Sequence, residues 1–313
     1  MATATAAPSQ TARPTTRSRK TRTVSKKRQY RAAYLFVLPF FILFLGTIIV
    51  PLVYAGYLSF FRQQLVGGVS FAGFANYSKA ITDPDFLSGV GRMGLFLVIQ
   101  VPVMLALSLF FALALDSGMT RLASFIRLGI FVPYAVPGVV ATLMWGYLYG
   151  RDFGPFAQVA GLVGLPAPNF LSDNTMIFSI VNVVNWEFIG YNMIIIYAAL
   201  RSIPADLFEA ARVDGASEPR IAWAIKIPAV RPALVLTVIF SVIGTFQLFN
   251  EPNLLRTIAP TVIGNAYTPN LYAYTLAFVN QDANYAAAIA FLLGILIMAL
   301  SYVVQLWNQK KEQ

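Results

Sequence analysis

The side chains that could do chemistry in this sequence are amides and carboxylates set within long apolar runs. In the run near 176–200, Asn182, Asn185 and Asn192 fall within one arc of a helix, and Trp186 borders that arc. Glu187 points to nearly the opposite side. Carboxylates and amides inside apolar runs are costly, so we expect them to line a solute pathway or to join helices.

A second polar set follows in the run near 233–250, where Gln247, Asn250 and Glu251 would share one helical face. At about 1.5 Å of rise per residue, both sets lie in the same half of a membrane and could line one pocket. The amides could equally be interhelical hydrogen-bond partners, worth roughly 0.6–2 kcal/mol each. Glu187 must face protein or water, and three roles stay open: pairing with a base, binding solute, or staying protonated.

Other kinds of chemistry are excluded by composition. The chain contains no His and no Cys, so imidazole acid–base chemistry, thiol nucleophiles and the usual zinc sites are absent. No G-x-x-x-x-G-K-[ST] loop occurs, so we do not expect this chain to hydrolyse ATP. A Ser/Lys or carboxylate arrangement is still open, but nothing in the spacing favours one. We therefore expect no catalytic residue, no metal site and no cofactor bound by this chain, which is not an enzyme.

The elements that carry these residues are membrane spans. Of the 313 residues, 58% are hydrophobic and only 12% are charged, against about 25% charged in soluble proteins. Six apolar runs are each near or above the ~20 residues that cross a bilayer as a helix. Prolines inside them predict kinks. The runs lie at about 32–60, 93–115, 125–149, 176–200, 233–250 and 285–306.

Basic residues predict the orientation of the spans. Many of them lie in residues 1–31, an Ala/Thr/Ser-rich segment that we expect to be a disordered cytoplasmic tail close to anionic lipid, with no role in nucleic-acid binding. The positive-inside rule then places both termini in the cytoplasm. We expect a transmembrane domain over 32–307 and a short cytoplasmic C-terminal tail over 308–313. The remaining basic residues on the cytoplasmic side would be Arg121, Arg127, Arg201, Arg212, Arg220, Lys226, Arg231, Lys310 and Lys311.

One amphipathic stretch, 202–232, separates the fourth and fifth runs. Ser202 can cap a helix N-terminus, and Gly215 stands where a helix stops through a residue with positive φ. Ser217 and Pro219 are typical of the start of a second short helix, which would end before Pro228. We therefore predict a cytoplasmic helical hairpin between spans four and five of an all-α membrane protein.

The same stretch carries a family resemblance. Glu209–Ala211, Asp214–Ala216 and Ile225–Pro228 resemble, in residues and spacing, the EAA loop of bacterial ABC importer permeases. In that family the loop is a cytoplasmic coupling helix that docks into a separate ATPase subunit. The coupling residues that the resemblance implies are Glu209, Ala210, Ala211, Arg212, Asp214 and Gly215.

Other segments extend the resemblance to permeases of the maltose and glycerol-phosphate type. These are the first span, Phe71–Phe86 and Phe131–Phe156, whereas the loop NEPNLLRTIAPTVIGNAYTPN departs from the turn found in many relatives. The resemblance implies a multi-pass protein of the bacterial plasma (inner) membrane that translocates a sugar, an oligosaccharide above all. It implies four kinds of protein partner or solute: a second permease of related fold, two ATPase subunits that use ATP and Mg, an extracytoplasmic solute-binding protein, and the sugar.

Two alternatives stay open. One is an importer permease for glycerol phosphate or a polyamine; the spans offer no positive charge for a phosphate, while Glu187 and Glu251 would suit a polycation. The other is a proton-coupled secondary transporter that uses Glu187. Tyr134, Trp145 and Tyr147 could stack on sugar rings, although packing is the favoured role for them.

Overall fold

Helices make up most of the computed structural model, which describes residues 26–64, 67–117 and 122–309. The chain divides into two compact units, Met1–Val53 and Tyr54–Gln313. Most of the predicted N-terminal tail, Arg121 and residues 310–313 lie outside the described residues.

The first unit begins with helix α1 (Lys26–Phe44), followed by a π-helical turn (Leu45–Ile49) and the start of α2 (Val50–Ser59). The rings of Phe40 and Phe44 stack at 5.9 Å. Helix α1 begins at Lys26, so the last residues of the 1–31 segment that was expected to be disordered are helical. Lys, Arg and Gln are good helix formers, so the basic residues before the apolar run can continue its helix.

The second unit contains a feature that the all-α prediction misses. Strands β1 (Phe61–Gln64) and β2 (Gly68–Phe71) form an antiparallel ribbon in which Phe61 pairs with Phe71. Asn76, on helix α3 (Ala75–Ala80), donates hydrogen bonds to the carbonyls of Ser59 and Phe61 at 2.9 and 2.8 Å. This amide satisfies backbone groups where the chain leaves α2.

Helix α4 (Pro84–Asp116) is longer than its apolar run predicts. Asp83 caps it, since its Oδ1 accepts a hydrogen bond from the N–H of Asp85 at 3.0 Å. Pro84 suits the first turn because no intrahelical partner exists there for an N–H.

The third apolar run is not one straight helix. Helices α5 (Ala123–Ala135) and α6 (Gly138–Leu148) meet at a bend of 96°. Pro133 and Pro137 flank the bend; each lacks an N–H and disfavours a helical conformation at the residue before it. Helix α7 (Pro155–Leu162) follows.

Helix α8 (Met176–Arg201) leads into a hairpin made of α9 (Ala205–Val213), α10 (Glu218–Ile221), a π-helical turn (Ala222–Lys226) and α11 (Ile227–Ala229). The remaining elements are α12 (Arg231–Phe246), α13 (Asn250–Leu255), α14 (Pro269–Tyr274), a π-helical turn (Thr275–Val279) and α15 (Ala283–Gln309). Within the described residues, five helical stretches are long and apolar enough to span a membrane, or up to six if α5 and α6 form one broken span.

Helix α8 packs closely against α5 at Gly190. A Cβ placed on Gly190 would come within 2.0 Å of the carbonyl oxygen of Ile130. Ser108 on α4 donates a hydrogen bond to the neighbouring carbonyl of Ile189 at 3.0 Å. Helix α8 is therefore held between α4 and α5, and its polar residues are oriented by that packing.

Candidate functional site

A cavity of about 450 Å³ lies among α4, α5, α8, α12 and α13. Its polar side is made of amides, hydroxyls and one carboxylate, and its apolar side is rich in aromatic rings. None of its lining residues is basic. The polar and aromatic lining residues are Gln100, Asn192, Ser241, Thr245, Gln247, Asn250, Glu251, Phe96, Tyr134, Phe188, Tyr191, Phe240 and Phe249.

The two predicted polar sets contribute unequally to this cavity. Asn192 lines it, as does the whole second set of Gln247, Asn250 and Glu251. The remaining predicted residues, Asn182, Asn185, Trp186 and Glu187, do not line it. The Asn arc of α8 is thus divided between the cavity and helix contacts.

Asn185 faces α4 and is buried there. It accepts a hydrogen bond from Nε2 of Gln100 at 3.2 Å, and both side chains are almost fully buried. About two turns further along α8, Asn192 donates a hydrogen bond to the carbonyl of Phe188 at 2.9 Å and contacts Sδ of Met104 at 3.2 Å. Asn185 therefore joins two helices, and Gln100 is the partner that also reaches the cavity.

Asn182 and Trp186 belong to a different cluster. Asn182 donates a hydrogen bond to the hydroxyl of Tyr149 at 2.7 Å, and that hydroxyl donates to the carbonyl of Ser179. Trp186 makes an edge contact with Trp145, with ring centroids 5.9 Å apart. This cluster ties α6 to α8 beside the 96° bend.

Glu187 lies inside the protein, with 5% of its surface exposed. Its Oε1 has no hydrogen-bond partner among the described residues. That oxygen is 3.5 Å from where a Cβ on Gly138 would be, so the carboxylate abuts the first residue of α6. The structure places Glu187 at the bend, apart from the cavity.

The second polar set reaches the cavity through a break that the sequence did not predict. The expected continuous helix ends at Phe246 and resumes at Asn250, since Pro252 cannot donate to the carbonyl of Leu248. That carbonyl accepts instead from Oγ1 of Thr268 at 3.0 Å, and the carbonyl of Gln247 accepts from Asn270 at 3.0 Å. Thr268 and Asn270, at the start of α14, thereby satisfy the carbonyls at the break.

The aromatic side of the cavity is a stacked group. The rings of Tyr134 and Tyr191 are parallel within 19° at 4.7 Å, and Phe188 meets Tyr134 edge-on at 5.8 Å. Of the three aromatic residues considered for sugar stacking, Tyr134 lines the cavity, while Trp145 and Tyr147 do not. Flat apolar faces beside amides suit the C–H faces and hydroxyls of a sugar ring.

The hairpin at 202–232 has the predicted turn at Gly215, where φ is +80°. The N–H of Gly215 bonds the carbonyl of Arg212 at 3.0 Å, and the N–H of Ala216 bonds that of Ala211 at 2.9 Å. This pair of bonds is a Schellman motif, which needs a residue that accepts the left-handed conformation. Gly215 therefore ends α9 sharply.

Two local predictions about the hairpin are wrong. Ser202 does not start α9; its hydroxyl donates to the carbonyl of Ala199 at 2.7 Å and so closes the end of α8. Helix α10 does begin at Glu218, after Ser217, but the helical backbone continues past Pro228 instead of ending before it. The π-helical turn Ala222–Lys226 widens the backbone just ahead of this proline, so no break is needed.

The exposed face of the hairpin carries charge and apolar side chains together. Nε of Arg212 pairs with Glu218 at 2.8 Å, and both side chains are about half exposed. Glu209, Ala210 and Asp214 are exposed as well. Leu207 is 50% exposed, whereas Phe208 is partly buried.

At the opposite end of α4, Asp83 ties three elements together. Its Oδ2 accepts hydrogen bonds from the hydroxyls of Tyr272 and Tyr285 at 2.8 and 2.6 Å. Burial alone would raise the pKa of Asp83, but these bonds and those from the backbone lower it below its ordinary value. The ionised carboxylate therefore fixes α14 and α15 to the start of α4.

Comparison with known proteins shows the family to which the chain belongs. The family model described as "Binding-protein-dependent transport system inner membrane component" matches residues 104–312. The chain belongs to this family. The matched segment includes the cavity helices from Met104 onward and residues 202–232, and the resemblance of the chain to importer permeases is confirmed.

Several relatives are permeases named for the solute that they transport. An arabinooligosaccharides transport system permease protein of Bacillus subtilis (strain 168) is 29% identical over 87% of each chain. A lactose transport system permease protein of Rhizobium radiobacter is 28% identical over 89% of this chain and 95% of its own. An sn-glycerol-3-phosphate transport system permease protein of Agrobacterium fabrum (strain C58 / ATCC 33970) is 28% identical over 86% and 91%.

A solved structure shares the fold. A chain of a bacterial ABC transporter involved in the import of the acidic polysaccharide alginate superposes with a TM-score of 0.80 at 18% identity, over 91% of this permease and 96% of its own length. The same kind of transporter in complex with an alginate pentasaccharide-bound periplasmic protein gives a TM-score of 0.75 over 89% and 93%.

Sequence reasoning missed Gln100, Phe188 and Phe240 among the lining residues. Gln100 had a usable signal, because a single amide in the apolar run around it is costly unless it has a partner. The aromatic residues had none, since aromatic side chains are common throughout the spans.

Proposed function

We propose that this permease forms the membrane pathway of an ATP-driven importer for a neutral oligosaccharide. The observation that carries the proposal is the 450 Å³ cavity lined by amides, hydroxyls and stacked rings without a basic residue. The relatives named as arabinooligosaccharide and lactose permeases support the same class of solute.

In this proposal α5 and α6 together form one broken span, so the chain crosses the membrane six times. Both termini and the hairpin are cytoplasmic, which agrees with the distribution of Lys and Arg. Protein then shields the Glu187 carboxylate at the bend from lipid. It also shields the backbone carbonyls that lack a helical N–H partner because of Pro133 and Pro137, as membrane spans require.

The proposed partners are inferred from the family and from functions that this chain cannot perform alone. A second permease of related fold would close the cavity, and an extracytoplasmic solute-binding protein would deliver the sugar. Two ATPase subunits would bind ATP and Mg, because this chain has no phosphate-cradling loop. Their closure would move the hairpin through Glu209–Gly215 and switch the cavity between the two sides of the membrane.

Glycerol phosphate is the second candidate, since a permease for it is 28% identical to this chain. A phosphate would favour cationic or N–H donors at its site, and the cavity's lining residues include none that is cationic. Glu251 would instead repel the anion and attract a polyamine. The absence of positive charge in the lining therefore favours the neutral sugar.

The experiment is uptake into proteoliposomes that contain the complete transporter, with ATP inside and the solute-binding protein outside. Labelled arabinotriose, lactose, glycerol 3-phosphate and spermidine are compared. We expect ATP-dependent uptake of at least one of the two neutral sugars and background uptake of the charged solutes. Uptake confined to a charged solute would overturn the sugar assignment. Uptake that continues without ATP and stops with an uncoupler would identify a proton-coupled transporter instead.

A further inference from the structure

Lys226 forms a buried ion pair with Asp116. The Nζ and Oδ2 atoms are 2.7 Å apart, and only 5% and 7% of the two side chains are exposed. The other ion pair in the described part of the chain, Arg212–Glu218, is about half exposed. Burying two charges costs solvation, so such a pair is not needed for stability alone, and apolar residues of similar size often replace it without loss.

The position of Asp116 is itself unfavourable without a partner. It is the last residue of α4, where the helix dipole presents its negative end and disfavours a carboxylate. Lys226 supplies the compensating charge from a different element, 110 positions along the chain. The two residues thus make the end of α4 dependent on the return leg of the hairpin.

Lys226 reaches this position through the π-helical turn. The N–H of Ile227 bonds the carbonyl of Ala222, five residues back. Single π-turns of this kind are frequent at functional sites. Lys226 is the last residue of this turn, and its side chain is buried in the protein.

Lys226 also contacts the first leg of the hairpin. Its Nζ lies 5.0 Å from the ring centroid of Phe208 on α9, which is the range of a cation–π interaction. The side chain therefore bridges three elements: α9 through Phe208, its own π-helical turn, and α4 through Asp116. Beside it, Val230 packs in one apolar cluster with Leu115 of α4 and Leu200 of α8.

We propose that the Lys226–Asp116 pair is the positioning contact that transmits hairpin movement to α4 and hence to the cavity. Met104 and Gln100, which line the cavity, lie about 18 and 24 Å from Asp116 along the axis of α4. A rigid helix of this length moves the cavity wall when its end is displaced. The inference rests on the proposed function, because it requires an ATPase that moves the hairpin.

The test measures α4 movement directly and does not depend on the solute. The chain has no cysteine, so nitroxide labels can be placed at Val98→Cys on α4 and Leu236→Cys on α12, both exposed. The label–label distance in the complete transporter is compared without nucleotide and after ATP and vanadate trapping. ATP hydrolysis and co-purification of the ATPase are recorded on the same samples.

The variants are Asp116→Asn, Lys226→Gln and the charge swap Asp116→Lys with Lys226→Asp. We expect each single variant to lose more than half of the nucleotide-dependent distance change while the ATPase stays bound and hydrolyses ATP. The swap should recover at least half of what the single variants lose. Arg201→Gln, which removes an exposed positive charge at the end of α8, is the matched control and should keep the full distance change.

Single variants that keep the full distance change would overturn the proposal, as would a folded swap with no recovery. If a single variant fails to insert, the neutral double variant Asp116→Asn with Lys226→Gln leaves no unpaired charge. That double variant should fold and show the reduced distance change, and a full change in it would also overturn the proposal. A wild-type transporter that shows no distance change with nucleotide would instead count against the ATP-driven mechanism itself.

Discussion

The hairpin and the cavity are built in opposite ways. The hairpin at 202–232 is local: its turn is set by Gly215, and most of its charged residues are exposed. The cavity takes its walls from five helices, and one of its lining amides, Gln100, is hydrogen-bonded to Asn185, 85 positions along the chain and outside the lining. The difference indicates that the hairpin can be specified by local sequence, whereas the cavity depends on how whole helices pack.

The strongest challenge to this comparison is Gly190→Ala. The added Cβ would come within 2.0 Å of the Ile130 carbonyl oxygen, and the next nearest atoms are also backbone atoms of Ile130 and Phe131. We expect a loss of about 3 kcal/mol or more of stability, the upper end of overpacking effects, and little folded protein in detergent by size-exclusion chromatography. Gly94→Ala is the control, since nothing lies within 4 Å of the Cβ it adds. A normal yield of Gly190→Ala would show that the cavity helices are not held by this contact.

Gly215→Val tests the local character of the hairpin. A β-branched residue at φ of +80° is strained by about 1–2 kcal/mol, so α9 should lose its sharp end. We expect normal insertion, weaker co-purification of the ATPase and uptake below a tenth of wild type. Gly215→Asn, which accepts the left-handed conformation more readily, should retain most uptake. If the two variants had equal uptake and equal co-purification of the ATPase, coupling would not depend on the conformation of this turn.

Asp83→Asn tests the frame at the other end of α4. The amide has no charge and only one acceptor oxygen, so it cannot keep the two tyrosine hydrogen bonds together with the bond from the N–H of Asp85, and we expect a loss of about 2 kcal/mol in the free energy of unfolding. Because the folded-state pKa of Asp83 is lowered, its contribution is present above the unfolded value of about 3.9 and is lost as pH falls through the folded value. The wild type and the variant should therefore converge in stability as pH falls from neutral through the lowered folded-state pKa of Asp83. A difference that persists there would assign the effect to something other than the charge.

The smallest expected effect concerns Gln100 and Asn185. A double-mutant cycle with Gln100→Leu and Asn185→Leu should give a coupling energy of about 0.6–1.7 kcal/mol, the range for hydrogen bonds between spans. Asn185→Leu alone should leave ATPase assembly intact, and Gln100→Leu should reduce uptake more, because only Gln100 lines the cavity. Equal losses of uptake would place Asn185 in the pathway after all.

What could be predicted from the sequence follows the same division. The membrane spans, the turn at Gly215 and the kink near Pro133 depend on neighbouring residues, so composition and local pattern suffice. The sequence placed Asn185 and Glu187 on helical faces correctly but could not say which neighbour each face meets. Ser202 was misassigned because a hydroxyl can close one helix or open the next, and only the backbone decides.

The break after Phe246 shows the same limit. Pro252 signals that a helix cannot continue undisturbed. The carbonyls of Leu248 and Gln247, however, are satisfied by Thr268 and Asn270, at the start of α14 and about 20 positions away in the chain. The buried pair of Asp116 with Lys226 was equally unreadable, because each residue alone resembles an ordinary charge at the end of a span.

The central claim, that an ATPase docks on the hairpin, is tested most directly by a cross-link from Val213, which is 88% exposed at the end of α9. In the otherwise cysteine-free chain, Val213→Cys is treated with a short photoactivatable thiol reagent in inside-out vesicles. Val69→Cys on the β-ribbon, 59% exposed, is treated identically. We predict that Val213→Cys cross-links to the ATPase subunit and that Val69→Cys does not. Labelling of Val69→Cys but not of Val213→Cys from the cytoplasmic side would contradict the account.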